Sequence, residues 1–288
     1  MGPSFSLRRP SGASPEYPSA PVQIATRHPL PRTASNERLR LLSYNIQAGI
    51  QSRHYRDYFS NGWKHLLPHR ERQRNLTSIG ALLRGYDLVG LQEVDAGSLR
   101  SGFIDQTQYL AQVGGYMHWH KQVNRKLGSL ARHSNGLLSR LRPSAVFEHK
   151  LPGLRGRGAL LVEFPTSDNE PLAICVLHLA LGWRARRRQL DYLVALVEQY
   201  RFIVLMGDFN CSSRSMTLRK TIRQAGLRGL DCELKTFPSW CPERNLDHIL
   251  ISPALRIGTA RVLDYALSDH LPLSMDVLLP DGVSVGRG

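Results

Sequence analysis

The chain has 288 residues, enough to bury a substantial core in one large α/β domain or two small ones. Its 38 lysines and arginines against 23 acids leave a formal charge of +15, which favours polyanionic partners: nucleic acid, anionic lipid surfaces or phosphorylated small molecules. It has no apolar run of the roughly eighteen residues a membrane-spanning helix needs, and its four cysteines show no zinc-finger or C-x-x-C spacing.

In chain order, residues 1–36 are rich in Pro, Ser and Arg, lack the apolar stretch of a secretory signal, and are expected as a disordered tail. Met1-Gly2 with Ser6 formally fits a myristoylation pattern, but Pro3 directly after the glycine is a poor context for it. Residues 39–44 read as the first core strand. Residues 50–70 interleave Tyr55, Tyr58, Phe59 and Trp63 with Arg53, Arg56 and Lys64. Such a stretch could stack on nucleobases or sit at a lipid interface; a short helix packing its aromatics on the sheet is the favoured reading. Leu76, Ile79, Leu82 and Leu83 predict a helix ending near Gly85, and the strand DLVGLQEV follows. A helix is predicted over 108–113, and then NGLLSR, GRGALLVEF and LAICVLHLAL as successive strands of a first sheet. Leu190, Leu193, Val194, Val197 and Tyr200 form a second helical stripe feeding the strand FIVLMGDF, and 217–226 is a further helix. Strands carrying LDHILIS and SDHLPLSMDV close a second sheet. Because no linker interrupts this alternation, one domain is expected over 37–281, with a disordered tail over 282–288. The predicted class is α/β, a four-layer sandwich of two mixed sheets face to face with helices outside. Cys175 falls in an apolar strand; Cys232 and Cys241 are near enough in sequence to bridge. The low cysteine count fits a reducing cytosol, so a cytoplasmic location is expected; the sequence does not give the oligomeric state, and a monomer is the expectation.

Six segments share one design, an apolar run ending in an acid, amide or imidazole. They are LLSYNIQAG with Asn45, LVGLQEVD with Glu93, AICVLHLALG with His178, FIVLMGDFN with Asp208 and Asn210, NLDHILIS with Asp247 and His248, and ALSDHLPL with Asp269 and His270. Strand ends are where α/β proteins bind ligands, and such a set holds a hard divalent cation with acid/base groups to spare. Glu93, one residue past an apolar run, has little reason to be there unless paired or bound to metal. The spacing of two between Asp208 and Asn210 places both side chains on one side of the pleat, whereas His248, next to Asp247, should face away and be structural. Arg184, Arg186, Arg187 and Arg188 open a helix, where positive charge opposes the macrodipole; a solvated run is slightly favoured over a phosphate site.

With NGLLSR between them, these motifs resemble, in order, the endonuclease/exonuclease/phosphatase superfamily from about residue 39 to 279, most of all its small bacterial members. The resemblance implies a DNase I-like fold and a divalent-metal-dependent hydrolase of phosphate esters, with Mg²⁺ as the ion and Mn²⁺ able to substitute. It implies metal contacts from Asn45, Glu93 and Asp269, a water-activating Asp208, a phosphate donor in Asn210 and a His270 oriented by Asp247. His178 matches the DNase I, sphingomyelinase and 5-phosphatase branches rather than the abasic-site endonucleases, and would serve the leaving group or the phosphate. Gln47 stands where the DNA-repair branch has Asp, which puts a second metal in doubt. Asn135 and Arg157 are the expected substrate-binding residues. Nucleic acid is the favoured substrate, with phospholipid head groups or inositol phosphates as the alternative. A binding protein that had lost catalysis should lack one of Glu93, Asp208, Asp247 or His270, and none is missing.

Overall fold

A computed structural model describes residues 24–26, 37–50, 70–153, 156–230 and 232–286. Twelve strands form two sheets among these residues. The strands are β1 (Ile24–Thr26), β2 (Arg38–Asn45), β3 (Leu88–Asp95), β4 (His118–Leu127), β5 (Ala131–Ser139), β6 (Ala145–Lys150), β7 (Gly158–Phe164), β8 (Leu172–His178), β9 (Phe202–Asp208), β10 (Asp247–Ile251), β11 (Arg256–Val262) and β12 (Leu273–Leu278). Seven are ordered β1-β11-β12-β2-β3-β5-β4 and five β10-β9-β8-β7-β6. Each sheet holds one parallel pair, β2/β3 and β8/β9, and a parallel pair needs a crossover. Helix α1 (Arg70–Leu83) lies in the first crossover and α3 (Trp183–Val197) in the second. Two more helices are α2 (Gln106–Gly114) and α4 (Met216–Gln224).

Three apolar layers hold these four layers of structure together. Leu41, Val162, Ile174, Val176, Val204 and Met275 fill the space between the sheets. Cys175, Leu177, Leu190, Leu193 and Leu218 pack α3 and α4 on the five-stranded sheet. Leu42, Tyr44, Leu76, Ile79 and Leu110 pack α1 and α2 on the other. A strand covered on both faces is apolar along its covered length, which is why β8 reads as an unbroken apolar run LAICVL before His178 and is buried throughout. Helix α2 is set locally: Asp105 accepts hydrogen bonds from the Thr107 and Gln108 amides at its start, and Gly115 ends it in the left-handed region at φ 72°.

The two-sheet sandwich agrees with the sequence, but the assignment of strands to sheets does not. β7 and β8 belong to the five-stranded sheet with β9 and β10, and β12 lies in the seven-stranded sheet beside β2. Periodicity marks a strand but says nothing of its partner. Strands β4, β6 and β11, unread in the sequence, are half-exposed and lack continuous apolar runs. Within the expected N-terminal tail, Ile24–Thr26 pair antiparallel with β11. Within the expected C-terminal tail, Val285 is buried in the inter-sheet core and its amide donates to Glu37 Oε2 at 2.6 Å. Cys232 and Cys241 are free, as are Cys175 and Cys211. The aromatic and basic stretch over 50–70 lies, but for its two end residues, outside the described residues, as does the Met1-Gly2 pattern.

Candidate active site

Pairing register assembles the centre of the site. In β8/β9 His178 lies opposite Asp208, and in β9/β10 Asp208 lies opposite Asp247, so the three occupy one rung and point to one face. β9 approaches β8 closely because of Gly207, at φ 149°; a Cβ there would stand 1.9 Å from the Leu177 carbonyl oxygen. The facing sheet supplies Asn45, whose Nδ2 donates toward Asp208 Oδ2 at 3.3 Å and Glu93 Oε1 at 3.4 Å, tying the sheets across the cleft.

Glu93 reaches the cleft through a backbone irregularity. The β3/β5 register shifts between Leu91 and Val94, and Glu93 has φ 57°. A bulge re-aims a side chain, and a left-handed glutamate is strained unless its surroundings hold it. Asn210 is left-handed too, at φ 53°. Its amide N–H donates to Asp208 Oδ1 at 2.8 Å and its Nδ2 to the Leu179 carbonyl at 2.9 Å.

His270 arrives from the loop between β11 and β12. Its Nδ1–H donates to Asp247 Oδ2 at 2.7 Å, the oxygen that also accepts the Thr236 hydroxyl at 2.5 Å. That bond leaves His270 Nε2 facing the cleft, 3.9 Å from Asp208 Oδ2, while His178 Nε2 is 3.4 Å from the same oxygen. Ser268 Oγ is 2.7 Å from the Asn45 carbonyl and 3.1 Å from Asp269 Oδ1, fixing the loop against β2.

Burial and charge set the protonation states. Burial pushes Asp208 up to about 7, with His270 opposing and Asp247 adding to the rise. Burial likewise lifts Asp269 to about 6 against the pull of His270. His270 resists burial and is raised to about 10 by Asp247, with Asp208 and Asp269 contributing. His178, buried and facing the Arg157 guanidinium, falls to about 3 and is neutral at ordinary pH. Burial would raise Glu93, but His178, His270, His133 and the Asn45 amide hold its carboxyl below the ordinary value.

Asn135 and Arg157 line a cleft of about 850 Å³ with Glu93, His178 and Leu181. The Asn135 Nδ2 donates to the Gly158 carbonyl at 2.9 Å, and the Arg157 guanidinium feels both Glu93 and Asp208. Of the ten sequence-predicted site residues, Asn45, Glu93, His178, Asp208, Asp247 and His270 are joined by these short contacts. Asn210 and Asp269 flank them, and Asn135 and Arg157 lie on the cleft wall. His248 faces the other side of β10, donating from Nε2 to the Cys211 carbonyl at 2.8 Å. Arg186 is spent on the Ala180 and Leu181 carbonyls. Sequence reasoning missed Thr236, Ser268 and His133. His133 sits two residues before Asn135, on the same side of the pleat, and that spacing was its available signal. Ser268 directly precedes Asp269 in the ALSDHLPL segment, which was its available signal, and nothing in the sequence marks Thr236.

Among the described residues no three carboxylates, imidazoles or thiolates converge as a ready cation cage. What the cleft offers is oxygen: Glu93 with a single long bond from Asn45, and Asp208 and Asp269 close by. That suits an ion keeping most of its waters and taking one or two carboxylates plus a substrate phosphate, as Mg²⁺ does, and is unlike a closed zinc site.

Residues 42–270 match the Endonuclease/Exonuclease/phosphatase family. No curated protein matches the chain. Among solved structures, an endonuclease/exonuclease/phosphatase from Beutenbergia cavernae superposes with a TM-score of 0.66 at 20% identity, over 84% of this chain and 72% of that one. A mannosyl-6-phosphatase from Bacteroides thetaiotaomicron gives 0.63 at 17% identity, over 84% and 100%. The catalytic domain of human Nocturnin with bound sulfate gives 0.61 at 17% identity, over 92% and 98%. At these identities the likeness is one of fold.

Proposed function

The chain belongs to the endonuclease/exonuclease/phosphatase family of phosphate-ester hydrolases, and from the geometry of its cleft we propose that it is a divalent-cation-dependent phosphodiesterase. The observation that carries this reading is the surroundings of Asp208 Oδ2, which has the Asn45 amide at 3.3 Å, His178 Nε2 at 3.4 Å and His270 Nε2 at 3.9 Å. Asp208 takes a proton from the attacking water as the water oxygen bonds to phosphorus. The bond from phosphorus to the leaving oxygen breaks on the opposite side, and that oxygen takes up a proton. His178 and His270 stand on either side, one to hydrogen-bond the phosphate and the other to protonate the leaving group. Asp247 keeps His270 in the tautomer that presents Nε2. Asn210 and Arg157 meet the non-bridging oxygens as charge builds on them. Glu93, Asn45 and Asp269 would hold Mg²⁺, or Mn²⁺ in its place, which when bound supplies Lewis-acid polarisation of the phosphoryl oxygens.

Nucleic acid is the first substrate class this reading offers, because Arg125, Lys126 and Arg157 line the cleft. A phospholipid head group is the second, on a specific observation: Leu181, 75% exposed, forms part of the same wall, and a sugar-phosphate strand gives it little to bury against. The test is turnover of bis-p-nitrophenyl phosphate with Mg²⁺ or Mn²⁺, with EDTA, and in Asp208→Asn. Cation-dependent hydrolysis abolished by EDTA and by the substitution is expected; no hydrolysis with either ion would overturn the assignment.

A further inference from the structure

Eleven large hydrophobic side chains stand exposed among the described residues, and seven of them lie on loops or at the ends of elements at the cleft end of the sandwich. Phe103 follows β3, Leu127 and Leu130 flank the β4–β5 turn, Leu181 and Trp183 lie between β8 and the first turn of α3, Met216 opens α4, and Tyr265 shares a loop with Asp269. Strands β3, β8 and β9 all carry their site residues at their C-terminal ends, so the loops after them surround the mouth of the cleft. Met216 is 88% exposed and Leu181 75%, so neither is held by packing among the described residues.

Cations are interleaved with this apolar rim. Arg125 and Lys126 belong to the β4–β5 hairpin. Arg187, Arg219 and Lys220 line a groove of about 500 Å³ between α3 and α4, together with Trp183, Met216 and one acid, Asp191. None of these three cations has an ion pair among the described residues. The Arg184 guanidinium lies 5.4 Å over the Trp183 ring. The first turn of α3 holds no acid, so its arginines act against the macrodipole, a placement that helix stability does not explain. A nucleic-acid strand satisfies the cations and can stack bases on Phe103 and Trp183, but it leaves the aliphatic Leu181 and Met216 in water. An anionic bilayer satisfies both sets, because apolar tips enter the acyl boundary while the surrounding Lys and Arg meet phosphates.

We propose that the mouth of the cleft docks on an anionic phospholipid surface and takes its phosphodiester from a head group presented there. This rests on the phosphodiesterase reading for the chemistry but on the rim alone for the docking. The test is co-sedimentation with vesicles of phosphatidylcholine containing about a third phosphatidylglycerol, against phosphatidylcholine alone and a single-stranded oligonucleotide. The full chain is compared with the double variant Trp183→Ser, Met216→Ser, whose side chains lie outside the catalytic cleft. Wild type should bind the anionic vesicles and shift its tryptophan emission to the blue. The variant should bind them at least roughly tenfold more weakly while hydrolysing bis-p-nitrophenyl phosphate at the wild-type rate. Equal vesicle binding by the two proteins would overturn the proposal. So would a wild type that ignores the vesicles, or one that binds the oligonucleotide in their place through the same two residues. Vesicle binding with no hydrolysis of the small diester would instead remove the catalytic reading and leave the docking surface standing.

Discussion

Asp247 and Glu93 both carry a carboxylate at the end of a strand, and their surroundings assign them different work. Asp247 is buried, holds His270 through Oδ2 at 2.7 Å and faces Asp208 across a rung, so its effect on chemistry runs through the imidazole. Asp247→Asn should lower turnover of bis-p-nitrophenyl phosphate on the order of a hundredfold or more, as expected for a disabled acid/base group. Calorimetric Mg²⁺ affinity should stay unchanged; rescue by extra Mg²⁺ would sink the dyad. Glu93→Gln should do the reverse, keeping the thermal midpoint and weakening Mg²⁺ binding by removing a charge from the ion's surroundings. Equal affinity in the two proteins would show that Glu93 is not a ligand. The residues at the end of an apolar run were legible because strand ends face the cleft and nothing apolar belongs there. What stayed hidden is how they are held. Thr236 and Ser268 are ordinary hydroxyls in loops, and the left-handed φ of Glu93 is a property of a bulge whose partner strand is forty residues away in sequence.

At the scale of elements, two local devices keep the strand ends in place. Gly207→Ala would put a Cβ against the Leu177 carbonyl and force the β8/β9 pair apart at His178 and Asp208. A loss of more than about 2 kcal/mol is expected by thermal or urea unfolding; a change within error would mean the strands separate there without cost. The second device is Asp95, which closes the loop after β3. It is fully buried, with Oδ2 at 2.5 Å from Arg100 Nε and 2.7 Å from Ser98 Oγ, and Oδ1 bound by the Ser98 amide and Ser101 hydroxyl. Burial would raise its carboxyl, but these bonds and the Arg100 charge hold it below the ordinary value. A depressed folded-state value means the stabilisation is present above the unfolded value, about 3.9, and is lost as pH falls through the folded one. Asp95→Asn, which strands a buried arginine, should therefore cost about 3 kcal/mol at neutral pH. The gap to wild type should shrink as pH falls below about 4, where the unfolded chain's carboxyl takes up its proton, and close once pH passes the lower folded-state value. A gap independent of pH would show that charge plays no part. Elements of this kind divide by legibility: β8 and β9 announce themselves, whereas edge strands β4 and β6 alternate too weakly to be told from loops, and strand partnership has no local signature.

Across the whole molecule, contacts at the end opposite the cleft join the two sheets. The sequence from residue 281, DGVSVGRG, is short and glycine-rich, and Val283 and Val285 are too few to establish a period that would mark the second as core. In the fold that valine, Val285, is 4% exposed within the inter-sheet core and lies opposite Thr166. Its amide binds Glu37 just before β2, in one sheet, while Ser284 exchanges hydrogen bonds with Ser167 in the turn joining β7 to β8, in the other. Ser284 and Val285 thus clip the two sheets together at the end away from the site. Deleting residues 282–288 removes one fully buried valine, worth about 1.5 to 3 kcal/mol, together with hydrogen bonds that water replaces in part. For a domain of this size the midpoint of thermal unfolding should fall by roughly 5 to 10 °C. Well below that midpoint, hydrolysis of bis-p-nitrophenyl phosphate should be retained, because β8 begins at the clip and delivers His178 at its far end. An unchanged midpoint would show that these contacts hold nothing. A collapse of activity at low temperature would mean that the spacing of the sheets at the clip sets the spacing of Asn45 and Asp208 across the cleft.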